Sequence, residues 1–203
     1  MAFFAHSCPA CEAADQEFRT RCDGVPTLGR RGLFTAALVG ATALAAPAAV
    51  AQVWAGRARS LDIRRQQTGD NFSGVYWRDG RYDRGALDRL NWVMRDPRME
   101  EATPMDPRLL DILSTLQQRL GSDDAWILTS GYRAPETNAT RARQSRRVSR
   151  VSFHMSGMAA DVQLPGRSSV GLARTAAEMQ LGGVGVYRNS GFIHIDCGPA
   201  RRW

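Results

Sequence analysis

Two histidines and a carboxylate set in otherwise apolar sequence constrain this chain more than anything else in it. The stretch Ser152-Phe-His154-Met-Ser-Gly157-Met-Ala159-Ala-Asp161 places an imidazole and a carboxylate seven positions apart among small and apolar residues. A further imidazole stands in Gly191-Phe-Ile-His194-Ile-Asp196. Both histidines lie in segments read as strand type, where an unpaired imidazole would be costly. Catalytic zinc usually takes three protein nitrogen or oxygen ligands and leaves a fourth position for water. His154, Asp161 and His194 are therefore read as the ligands of a catalytic zinc.

The N-terminal region has a different character. Arg30-Arg31-Gly-Leu-Phe34 precedes an uncharged, Ala-rich run from Thr35 to Val50, which ends in Ala49-Val50-Ala51. That is the pattern of a twin-arginine export signal with a small-residue cleavage site. The run is too weakly hydrophobic for a membrane anchor, so no stable anchor is expected after cleavage. Residues 1–51 are read as a leader and residues 52–203 as one domain, with a periplasmic destination. His6, Cys8, Cys11 and Cys22 lie upstream at irregular spacing and are assigned no function. The exported part then holds one thiol, Cys197, and no intrachain disulfide is possible.

Cleavage leaves the net charge at +7, because four Arg and four acidic residues are removed together. All 27 basic residues are Arg. A basic surface favours anionic partners. The densest run, Arg141-Ala-Arg143-Gln-Ser-Arg146-Arg147-Val-Ser-Arg150, contains no aromatic residue and accompanies no nucleic-acid fold signature. It is read as a solvated loop bordering a cleft, and no nucleic-acid partner is expected.

Alternating apolar positions from Leu61 to Tyr82, broken by Thr68-Gly-Asp-Asn71 and Asp79-Gly80, predict antiparallel strands joined by tight turns. Asp83 is placed to cap a helix running to about Arg95, with Leu87, Leu90, Trp92, Val93 and Met94 on its core face. Asp106-Pro107 starts a second helix that Gly121 stops. Ala125 to Thr129 reads as a short buried strand leading into Ser130-Gly-Tyr-Arg133-Ala-Pro135, which would project Arg133 into a cleft. Met158 to Leu164 reads as a strand, Ser168 and Ser169 cap a helix to about Met179, and Val184 to Tyr187 and Phe192 to Asp196 form a closing hairpin. That hairpin would carry His194 back beside His154 and Asp161.

Taken together, Ser130-Gly-Tyr-Arg133 with Pro135 and Asn138, Ser152-x-His154-x-x-Gly157-x-Ala159-x-Asp161, Gly183-x-Gly185-x-Tyr187 and Gly191-Phe-Ile-His194-Ile-Asp196-x-Gly-Pro-x-Arg-x-Trp203 resemble the YcbK/MepK-like murein endopeptidases. Those enzymes belong to the zinc D-Ala-D-Ala metallopeptidase superfamily. The resemblance spans roughly Leu61 to Trp203. It implies an α+β fold with an antiparallel sheet and flanking helices, zinc on His154, Asp161 and His194, and hydrolysis of peptide bonds in peptidoglycan, L,D or D,D. Zinc would polarise the scissile carbonyl and acidify its water. Arg133 would stabilise an oxyanion or hold a substrate carboxylate.

The pattern departs from the superfamily in one place. Many D-Ala-D-Ala peptidases carry a Glu three residues before the last His ligand, and here that position is Gly191. Asp196 shares the strand face of His194, which makes it a candidate catalytic base, a residue that orients an imidazole, or neither. Tyr132 and Ser152 are candidate neighbours of the site. The expected function is that of an exported zinc peptidase acting on peptidoglycan. The alternative is a zinc-containing module that binds peptidoglycan without cutting it.

Overall fold

The computed structural model describes residues 58–145 and 148–203; the leader and its signal lie outside the described residues. Alternation writes the first strand, β1 (Arg59–Arg65), which buries Leu61, Ile63 and Arg65 on one side. It pairs antiparallel with β2 (Asn71–Arg78), and β2 turns into the short β3 (Arg81–Tyr82). Asp79 and Gly80 take φ of 53° and 82° in that turn, the pair of positive values that a two-residue hairpin of matching twist requires.

Helix α1 (Arg84–Val93) is capped by Asp83, whose side chain accepts from the Ala86 N–H. Helix α2 (Pro107–Leu120) starts with Asp106 accepting from Arg108 N–H and ends at Gly121 with φ of 58°. Then follow β4 (Trp126–Ser130), α3 (Pro135–Gln144), β5 (Ala159–Gln163), α4 (Ser169–Glu178), β6 (Gly183–Tyr187), β7 (Phe192–Asp196) and β8 (Arg201–Arg202). The eight strands form one sheet in the order β3-β2-β1-β4-β5-β7-β6-β8. Among the described residues, no helix is long and apolar enough to cross a membrane.

The fold is α+β, as expected, with a mixed sheet. Most pairings are antiparallel, but β1 pairs parallel with β4 and β6 with β8. Two helices separate β1 from β4 in sequence, and a connection of that length can carry the chain back to the starting end of the sheet. Two local expectations are also corrected. Two of the five arginines of the run are helical, since α3 contains Arg141 and Arg143. Trp92 is 49 % exposed instead of buried, and its ring carries the Arg95 guanidinium 4.0 Å above it.

The pleat sorts residues by face. Ala160, Val162, Ile193 and Ile195 join Leu61, Ile63, Leu109, Leu113, Trp126 and Leu128 in the core. Asp161, His194 and Asp196 alternate with them and so point to the opposite face of the sheet.

Candidate metal centre and its cleft

Asp161 and His194 are direct register partners on β5 and β7. His154 arrives from outside the sheet. It sits on a single 3-10 turn, Phe153–Ser156, and not on a strand. Ser152 opens the turn by accepting from the His154 N–H, and Gly157 closes it with φ of 67°. The turn is held from two sides: Arg133 N–H donates to the His154 carbonyl at 3.1 Å, and Asp106 N–H to the Gly157 carbonyl at 2.9 Å.

The three side chains meet. His154 Nε2 lies 3.2 Å from His194 Nδ1 and 3.3 Å from Asp161 Oδ1, and His194 Nδ1 lies 3.0 Å from the same oxygen. Each imidazole is committed on its other nitrogen. His154 Nδ1 donates to the Gly131 carbonyl at 2.7 Å, and His194 Nε2 donates to Asp196 Oδ2 at 3.0 Å. The bare lone pairs of His154 Nε2 and His194 Nδ1 therefore face each other and a carboxylate oxygen. With both imidazoles neutral, three acceptors converge without a donor, an arrangement that a cation completes. Four ligands placed tetrahedrally at zinc distances stand about 3.3 Å apart, so the triangle fits one face of such a site.

Electrostatics agree with ligation at two of the three residues. Burial lowers His154 below the usual imidazole value. Burial would raise Asp161, but the adjacent His154 and His194 hold it below the usual carboxylate range. His194 goes the other way: burial would lower it, but the carboxylates of Asp161 and Asp196 on its two sides outweigh that and raise it, so a metal there has to displace a proton from Nδ1. A neutral imidazole and an ionised carboxylate are the forms that ligate metals.

Asp196 is fully buried, at 0 % exposure. Besides His194 Nε2, it accepts from Arg201 Nη1 and Nη2 at 3.0 and 2.7 Å and from the Gly198 and Gly183 N–H groups at 2.9 and 3.2 Å. Both its oxygens are engaged. Arg133 is also buried; its Nη1 donates to Asn138 Oδ1 and its Nη2 to Ser130 Oγ, and Nη2 stands 3.7 Å from Asp161 Oδ2. Gly131 is required beside it, because a Cβ there would lie 2.4 Å from the Met94 carbonyl oxygen.

A cleft of about 520 Å³ opens over the centre, walled by Arg133, Arg141, Ser152, Tyr187, Phe192 and Trp203. Among the described residues that line it, Asp161 is the only carboxylate. Of the two suggested neighbours, Ser152 lines the cleft, whereas Tyr132 turns away and donates to Glu101. Sequence reasoning assigned no role to Trp203, whose ring centroid lies 5.3 Å from that of His194. The ring occupies the space that a side chain at Gly185 would fill, and Gly185 is the register partner of His194. The signal available was that glycine, two positions from Gly183 and followed by Tyr187.

The sequence model of one protein family, described as peptidoglycan L,D-endopeptidase MepK, matches residues 53–203. The chain belongs to this MepK family. Two curated relatives agree. The probable peptidoglycan L,D-endopeptidase MepK of Haemophilus influenzae is 37 % identical over 155 residues, covering 76 % of this chain and 83 % of the relative. The peptidoglycan L,D-endopeptidase MepK of Escherichia coli K12 is 38 % identical over 166 residues, covering 81 % and 90 %. No solved structure matches at a significant level. Membership in the MepK family accords with the motif resemblance. The converging triad lies within the matched region, as does the glycine at position 191.

Proposed function

We propose that the chain is an exported zinc-dependent murein endopeptidase that hydrolyses peptide cross-links of peptidoglycan outside the cytoplasm. The family match supports the reaction, and the names of the relatives support the L,D bond. The observation that carries the metal is the set of three acceptors meeting within 3.3 Å, with both imidazole tautomers fixed from behind.

His154 Nε2, Asp161 Oδ1 and His194 Nδ1 would hold the zinc. When bound, the metal polarises the scissile carbonyl and brings its water toward a pKa of about 7. Arg133 faces the same point with a fixed positive charge and stabilises negative charge developing on the carbonyl oxygen. Asp196 keeps the His194 ring in the ligating tautomer, a positioning role that fits its burial and its five donors. Residues 1–51 are the export leader in this reading and residues 52–203 the working domain.

Digestion of purified peptidoglycan with the zinc-loaded chain, beside His154→Ala, tests the reading. Release of L,D-cleaved fragments by the wild type alone is the expected result. A folded, zinc-bound protein that retains peptidoglycan but releases nothing would establish the non-cutting module, which the lack of a second cleft carboxylate favours. N-terminal sequencing of the exported protein checks cleavage after Ala51.

A further inference from the structure

The cleft shares a wall with a second cavity. Arg133 and Arg141 line both, and beyond them a space of about 440 Å³ is also bordered by Arg65, Arg98 and Asp96. Four guanidiniums thus stand against one carboxylate on that wall. Two of them are deeply placed, Arg65 at 2 % exposure and Arg133 at 6 %.

A buried guanidinium needs partners for its donors and an answer to its charge. Both needs are met only in part here. The Nε of Arg65 and the Nε of Arg133 both lack an acceptor. Arg65 Nη1 reaches only the neutral Val93 carbonyl, at 3.0 Å. The hydrogen bonds of Arg133 go to neutral Asn138 and Ser130, and its nearest carboxylate, Asp161, stands 3.7 Å away beyond hydrogen-bond reach. Asp96 carries the one negative charge of the wall, but its two oxygens already accept from the backbone N–H groups of Arg98 and Ala134. The strain shows in the charges themselves. Burial, and then Arg95, push Arg65 down to about 10, and burial followed by Arg141 lowers Arg133.

We propose that this cavity is a carboxylate subsite, in which Arg141 and Arg98, backed by the buried guanidiniums of Arg65 and Arg133, hold a free carboxylate of the peptide stem on one side of the scissile bond. The source of the carboxylate rests on the peptidoglycan reading above; the need for an anion rests on the cavity alone. Continuity with the cleft favours a group covalently joined to the substrate, and guanidinium matches carboxylate in planar, paired geometry.

The test is equilibrium binding of a cross-linked stem-peptide dimer to the full zinc-loaded chain. The scissile bond is replaced by a non-hydrolysable reduced bond, and the dimer is made with free or with amidated carboxylates. One charge-assisted contact gives a difference of about 10-fold or more, so the free acid is expected to bind at least that much tighter. Arg141→Gln is expected to remove most of the difference. Arg98→Gln, at an exposed position, is expected to reduce it and guards against a variant that fails to fold. Equal affinities for the two dimers in the wild type, no binding of either, or an advantage unchanged in both variants would overturn the proposal. Cleavage of the ordinary dimer is scored separately. A chain that discriminates without cutting keeps the subsite and loses the hydrolase reading, and one that cuts without discriminating loses the subsite alone.

Discussion

His194 is held on both sides, by the acceptors at its Nδ1 and by Asp196 at its Nε2. Replacing Asp196 with Asn leaves the volume nearly unchanged but substitutes a neutral amide for the carboxylate. Loss of such an outer contact lowers metal affinity by about 10–100-fold, and competition against a chelator of known affinity will measure it. If Asp196 were instead a base acting on substrate, hydrolysis would fall while zinc affinity stayed put. Gly191 poses the opposite question. Its φ of 73° belongs to the left-handed region, and although a Cβ there would find space, 3.6 Å from Gln163 Nε2, the backbone disfavours any L side chain. Gly191→Glu is therefore expected to destabilise the fold by about 1 kcal/mol and to leave hydrolysis no faster, as urea melts and digestion rates will show.

One turn of 3-10 helix decides whether the third proposed ligand, His154, arrives. Gly157 closes that turn, and an added Cβ would sit 2.5 Å from the Pro104 carbonyl oxygen, on a backbone with φ of 67°. Gly157→Ala should shift His154 and weaken zinc binding more than it lowers stability, read as lost metal stoichiometry in a protein whose far-UV spectrum is retained. Sequence reasoning took His154 for a strand residue because apolar neighbours resemble a strand over so short a span; the Ser152 and Gly157 caps were the better signal. Strands β1, β2, β5 and β7 were legible because alternation is a local property. Helix α3 was not, since it buries only Thr137 and Asn138 and so shows little apolar periodicity. The parallel pairing of β1 with β4 is a decision of the whole chain, and no local pattern announces it.

At the scale of the molecule the sheet separates two tasks. Its core face carries the apolar cluster against the helices, while the triad occupies the other face. Removing zinc should leave a cooperative fold with a lower melting temperature. Free zinc at about 1,000 times its Kd contributes about 4 kcal/mol, and for a domain of this size that corresponds to roughly 10 °C. Calorimetry with and without chelator checks this, and outright unfolding on chelation would mark the metal as structural. The three residues of the proposed metal site could be picked out from residue type and spacing, and the structure brings their side chains together. Their supports could not: the Gly131 carbonyl, Arg201 beneath Asp196 and the Trp203 ring over Gly185 depend on chain segments far apart in sequence.

The facing of Asp161 and His194 across β5 and β7 also sets an order in time. The two residues are 33 positions apart, and a slip of β7 by one residue would turn His194 into the core and an isoleucine toward the metal. An unfinished or misregistered chain thus brings together only two of the three proposed ligands. On the proposed reading, metal capture becomes a report on correct strand pairing, and a chain able to cut the wall is one whose sheet has already closed in register.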